Sequence, residues 1–142
     1  EEVGKWENSA SGFQAFCQGR DEYHQFHEAP YLPDELVKAT QGVPCKTDFV
    51  RYVQWHNHAF RMTQVLQKPV HIIHYFDYRD DYNGTMYKLL NFLELPFASD
   101  GLDFHWRDYS DYFTAEQRNA TIHFIKLYAS PPLIKELSRY GF

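Results

Sequence analysis

The run Val70-His71-Ile72-Ile73-His74-Tyr75 constrains this chain more than any other stretch. It is short, apolar and rich in β-branched residues, in a sequence whose other patterned segments read as helices. Such a run reads as a strand buried on both faces, and strands of that kind sit inside parallel sheets covered by helices. One strand cannot satisfy its own backbone N–H and C=O groups. Its partners are therefore expected upstream of Glu1, in another chain, or in a pairing around Leu102 to Trp106. The expected fold class is α/β.

The rest of the pattern is helical. Ser9 or Ser11 can cap a helix with Phe13, Phe16, Cys17, Tyr23 and Phe26 on one side, ending before Pro30. Pro33 with Asp34 and Glu35 suits the first turn of a short helix closed by Gly42 and Pro44. Thr47 is placed to cap a long helix whose Phe49, Tyr52, Val53, His56, Phe60, Thr63 and Leu66 trace one face, and Pro69 stops it. Tyr82, Met86, Leu89, Leu90 and Leu93 form another stripe, ended by Pro96 and a Ser99-Asp100-Gly101 turn. Leu102 to Phe113 shows no period and reads as a long loop or one short strand. Thr114 with Gln117 makes a capping box for a helix carrying Phe124 and Ile125 inward. Ser130-Pro131-Pro132 then starts a last short helix closed by Gly141. The sum is roughly five or six helices around one strand, with no repeat and no low-complexity segment.

Several function classes are excluded at this level. The 14 Lys and Arg residues are scattered among 19 Asp and Glu, so no basic stripe is offered to nucleic acid or an anionic membrane. No apolar stretch approaches the roughly 20 residues of a membrane span. Length suits one domain or part of one, and the polar opening at Glu1 leads us to expect a segment before it. Cys17 and Cys45 lack zinc-site spacing and are either free thiols or one pair.

The eight histidines do not converge on a metal site. His71 and His74 would face opposite ways on a strand, His56 and His58 diverge on a helix, and only His24 and His27 share a face. His74, at the carboxyl end of the strand, is either a hydrogen-bonded core residue or part of a ligand crevice, since ligands of α/β sheets bind beyond those ends. Asp77, Asp80 and Asp81 are either helix caps or an acidic cluster near that crevice.

Three stretches together resemble the sulfotransferase family. Pro69 to Pro96, PVHIIHYFDYRDDYNGTMYKLLNFLELP, resembles its strand, Tyr-Glu-Asp turn and helix ending in Phe-Leu. Trp106 to Gln117, WRDYSDYFTAEQ, resembles the Trp-Lys/Arg … Phe-Thr-x-x-Gln segment before the last long helix, and Val43 to Phe60, VPCKTDFVRYVQWHNHAF, resembles the helix before the strand. Order and spacing agree across 43–142, leaving 1–42 as a variable helical insert. The resemblance implies a single partial domain, the carboxy-terminal part of a P-loop-like three-layer parallel-sheet fold.

It further implies transfer of a sulfuryl group from 3′-phosphoadenosine-5′-phosphosulfate to a hydroxyl or amine. The matching cofactor positions would be Trp106 and Arg107, with His74 and Asp77 beside them, while no catalytic residue falls in this chain. The 5′-phosphosulfate cradle would belong to a missing amino-terminal half or a partner chain that completes the sheet. Two departures favour a second reading, a non-catalytic sulfotransferase-like subunit or interaction module: Phe76 replaces the family's Glu, and Thr114 stands eight residues after Trp106 where soluble members have five. Some members work in the Golgi lumen. That compartment would permit a Cys17–Cys45 disulfide, contributing about 3 to 4 kcal/mol by loop closure, and N-glycosylation at Asn83 and Asn119, each in an Asn-x-Thr sequon.

Overall fold

In the computed structural model, residues 7–97 and 104–141 are described. The Ser99-Asp100-Gly101 turn and the start at Glu1 lie outside them. Every regular element among the described residues is helical: α1 Ala10–His27, α2 Asp34–Ala39, α3 Lys46–Leu66, α4 Tyr75–Asp80, α5 Tyr82–Phe92, α6 Ala115–Tyr128 and α7 Pro131–Leu137, with short 3₁₀ turns between some of them. They fall into two compact units, one within Glu1–Leu66 and Tyr109–Phe142, the other within Gln67–Asp108.

Local chemistry sets the boundaries in the first unit. Ser9 caps α1 by accepting from the Gly12 amide at 3.1 Å, leaving one fewer orphan N–H in the first turn. Thr114 and Gln117 form the full capping box of α6, with reciprocal bonds of 3.2 and 3.0 Å. Proline in the first turn starts α7, and Gly141, at φ +81, takes the left-handed position that ends the last turn. Around these, Val50 and Val53 of α3, Phe124 and Ile125 of α6 and Leu133 and Leu137 of α7 form one buried cluster with Leu36 and Val43.

No α1 residue belongs to that cluster. Helix α1 is held by other means. Cys17 and Cys45 are joined by a disulfide, with Cα atoms 4.5 Å apart. A polar seam runs on from there. Arg20 meets Asp48 at 3.1 Å, Asp21 accepts from the Lys46 amide at 2.7 Å, His24 Nδ1 meets the Thr47 hydroxyl, and Glu28 binds Arg51 at 2.8 Å. At the other end Phe13 packs on Tyr112 and Phe113, with ring centroids 5.7 and 4.9 Å apart. The amides of Gln14 and Gln117 pair reciprocally at 2.9 and 2.8 Å.

Two expectations are corrected here. The α/β reading fails: Val70 to His74 lie in no regular structure, Tyr75 opens α4, and no strand occurs among the described residues. The β-branched residues do favour extended backbone, which His74 adopts at φ -95 and ψ 148, but a strand exists only where a neighbour takes its hydrogen bonds. Nor is the run buried on both faces, because Val70 and Ile72 are 50% and 42% exposed. Thr47, expected as a cap, lies one residue inside α3. The carboxylate of Asp21 fills that role from α1, and the Thr47 hydroxyl turns to His24.

Phe124 is 1% exposed, so Phe124→Ala is expected to cost about 3 to 5 kcal/mol in urea unfolding, whereas Phe26→Ala, at a 73% exposed position, should stay within about 0.5 kcal/mol.

The seam also carries a pH dependence. Burial raises the Asp21 carboxyl above its ordinary range, outweighing the Lys46 amide and charge. Burial pushes Glu28 the same way, but the His24 hydrogen bond, then Thr47 and Arg51, overcome it and hold its carboxyl below 4.5. A lowered carboxylate stabilises the fold above its unfolded pKa and loses that contribution as pH falls through the folded one. The gap in urea midpoint between the wild type and Glu28→Gln should therefore close as pH drops below 4.5. A constant gap from pH 7 down would assign Glu28 no such part.

Candidate functional site

The residues singled out for a cofactor wall all fall in the second unit, and capping organises them. His74 is the residue before α4 and is buried. Its amide donates to Asp77 Oδ2 at 2.9 Å, so the Asp77 carboxylate satisfies an orphan donor at the helix start. The Asp77 carbonyl in turn accepts from the hydroxyl of buried Thr85 at 2.9 Å. Asp81 caps α5 by accepting from the Gly84 amide at 2.9 Å. A Cβ at Gly84 would stand 1.9 Å from Asp81 Oδ2, so a glycine is what lets this cap close.

Against α4 lies an aromatic layer. Trp106 sits with its ring centroid 4.7 Å from Tyr75 and 5.5 Å from Phe76. The Arg79 guanidinium lies over both Phe76 and Trp106, 4.6 and 5.1 Å from the ring centroids. This is cation–π geometry. Its Nε donates to Asp80 Oδ1 at 2.6 Å, and that bond raises the guanidinium pKa further. Phe104 is ringed by Tyr75, Tyr78 and Tyr82 at 5.6, 5.6 and 5.7 Å.

The structure therefore brings together His74 with Asp77, and Trp106 with the Tyr75-Phe76 pair. Arg107 is exposed and its guanidinium forms no ion pair with a described residue. Asp77 and Asp81 act as caps, and Asp80 pairs with Arg79. An open cleft of about 270 Å³ beside the caps is lined by Asp77, Asp80, Asp81 and Lys88, with His71 at its edge. Three carboxylates against one ammonium give that cleft an acidic lining, which disfavours anions.

The histidines take unrelated roles. His71 stacks on Phe92 at 5.3 Å, His27 stacks on Tyr23 at 4.3 Å, and His24 faces Glu28 and Thr47. Among the described residues no group of three or more His, Cys, Asp or Glu side chains could hold a metal ion. Asn83 and Asn119 are both exposed, on α5 and α6.

Arg79 is the residue that sequence reasoning missed. Its signal was present in the i, i+3 spacing from Phe76, which puts the two on one helical face; Trp106 came from a segment without any period. Comparisons with protein-family models, curated proteins and solved structures return no match. No helix among the described residues is long and apolar enough to cross a membrane.

Because Asp77 ties the residue before α4 to the helix while Asp80 makes an exposed pair, the two substitutions should differ. Asp77→Ala is expected to cost about 1 kcal/mol and Asp80→Ala less than about 0.5 kcal/mol in thermal unfolding. Equal losses would remove Asp77 as the organiser of the turn.

Proposed function

We propose that this chain supplies the carboxy-terminal part of a 3′-phosphoadenosine-5′-phosphosulfate-dependent sulfotransferase, one wall of the cofactor crevice, and is inactive alone. The observation that carries this reading is the packing of Trp106 on Tyr75 and Phe76. These residues come from two of the three stretches that resemble the family, about 30 residues apart. Chemically, the layer offers aromatic faces on which a purine can stack. The exposed guanidinium of Arg107, next to Trp106, supplies donors suited to a phosphate. His74 and Asp77 hold the turn that carries Tyr75 and Phe76. The 5′-phosphosulfate grip and the base would come from residues outside these 142 or from a partner chain. A lumenal compartment fits this proposal, since the exposed sequons at Asn83 and Asn119 would be modified there and the Cys17–Cys45 bond would persist.

One observation favours a second reading, a non-catalytic interaction module. Phe76 stands where the family has a glutamate, and it is committed to Trp106 and Arg79.

Titration calorimetry of 3′-phosphoadenosine-5′-phosphate into the native polypeptide that carries this chain separates the two. The enzyme reading expects saturable binding that Arg107→Ala weakens by about 1.5 to 3 kcal/mol, the range of a charged hydrogen bond. Binding that Arg107→Ala leaves unchanged removes Arg107 from the site, and absence of binding leaves the module reading.

A further inference from the structure

The attachment of α1 sets it apart from the rest of the first unit. The buried cluster is complete without it, and the only α1 residues that are buried are Gly12, Cys17 and His24. What holds α1 is the disulfide, the buried His24–Thr47 contact, the part-buried bonds of Asp21 to the Lys46 amide and of Gln14 to Gln117, one exposed ion pair from Arg20 to Asp48, and Phe13 on two rings. A single hydrogen bond or exposed ion pair contributes less than a disulfide that closes a loop of this length, so the covalent bond is the largest single tie.

Cys45 sits at φ +48, in the left-handed region that a non-glycine residue rarely adopts. Cys17 also borders an open cavity of about 500 Å³, walled by Gln14 and Gln18 of α1 on one side and by Val43, Lys46 and Gln117 on the other. Cys17 and Cys45 are only 2% and 4% exposed, so a reductant reaches the bond through a local opening of α1 beside this cavity, which exists only while α1 is docked.

We propose that the Cys17–Cys45 disulfide is a redox latch: reducing it undocks α1 and dismantles this cavity, while the cluster of α2, α3, α6 and α7 stays folded. The reductant is a dithiol. Its first sulfur, as thiolate, attacks the disulfide and breaks the S–S bond, forming a mixed disulfide with one cysteine. The other cysteine leaves as thiolate and takes up a proton. The second reagent sulfur then displaces the bound cysteine, which is protonated in turn. Two electrons and two protons pass from the dithiol to the cysteine pair, and the dithiol becomes a cyclic disulfide.

Hydrogen–deuterium exchange of the full chain, with and without dithiothreitol, tests the latch. Reduction should speed exchange of the Phe13 to His27 amides by more than about tenfold, while amides of Val50 to His56 and Ala120 to Leu127 keep their protection. The Cys17→Ser, Cys45→Ser double variant should show the same pattern without reductant, and reoxidation of the wild type should restore it. Unchanged exchange in α1 overturns the proposal. So does loss of protection throughout the chain, which would make the bond a support of the core, and so does a reoxidised α1 that fails to regain protection.

Discussion

The first unit depends on the burial that α3, α6 and α7 share. Val53 and Phe124 are each 1% exposed and Leu133 is 2% exposed, and no polar contact in the unit could replace that apolar area. Once these three helices are set, the loop through Val43 is pinned to the same cluster. The chain just after it, at Cys45 and Lys46, is then presented to α1. The disulfide and the Asp21 cap follow from that placement. Polar and covalent contacts thus register a helix on a core that apolar burial has already built.

The second unit runs on a different balance. The only buried residues there among the described ones are His74 and Thr85, each 7% exposed, and both are polar. Asp77 joins them, accepting from the His74 amide through its carboxylate and from Thr85 through its carbonyl. Beyond it the aromatic side chains of α4 pack on Phe104 and Trp106. Such a unit has little apolar area to lose, so its order rests on caps and ring contacts, each worth about a kcal/mol. Regions built this way open at low free energy.

The contrast explains what could be read from the residues. Helices α1, α3, α5 and α6 announce themselves through apolar period and capping chemistry, most clearly in the Thr114–Gln117 box, because those signals act within one or two turns. The Val70 to His74 run carries a genuine extended preference. Whether such a run becomes a strand is decided by a neighbour, and no local pattern encodes the neighbour. The α4 turn was hidden for a related reason: Tyr75 looks like the last residue of a β run until the reach of Asp77 back to the His74 amide is seen. At the site, the proximity of His74 to Asp77 was readable from spacing. The packing of Trp106 against Phe76 and Arg79 was not, since it joins a helix face to an aperiodic segment about 30 residues away.

Phe76 is where fold and function bear on each other most directly. A glutamate there would place a carboxylate beside Asp77, Asp80 and Asp81, with Arg79 already engaged by Asp80. Adding a further like charge to that turn is unfavourable. The phenyl ring instead gives Arg79 a face to lie on and Trp106 a surface to pack against, keeping the indole over α4 without another charge. Tyr75, the neighbour on that turn, contacts the same indole. Phe76 thus offers the turn no acceptor and adds a ring to the aromatic layer. Such a layer suits the stacking of planar rings better than hydrogen bonding through a carboxylate.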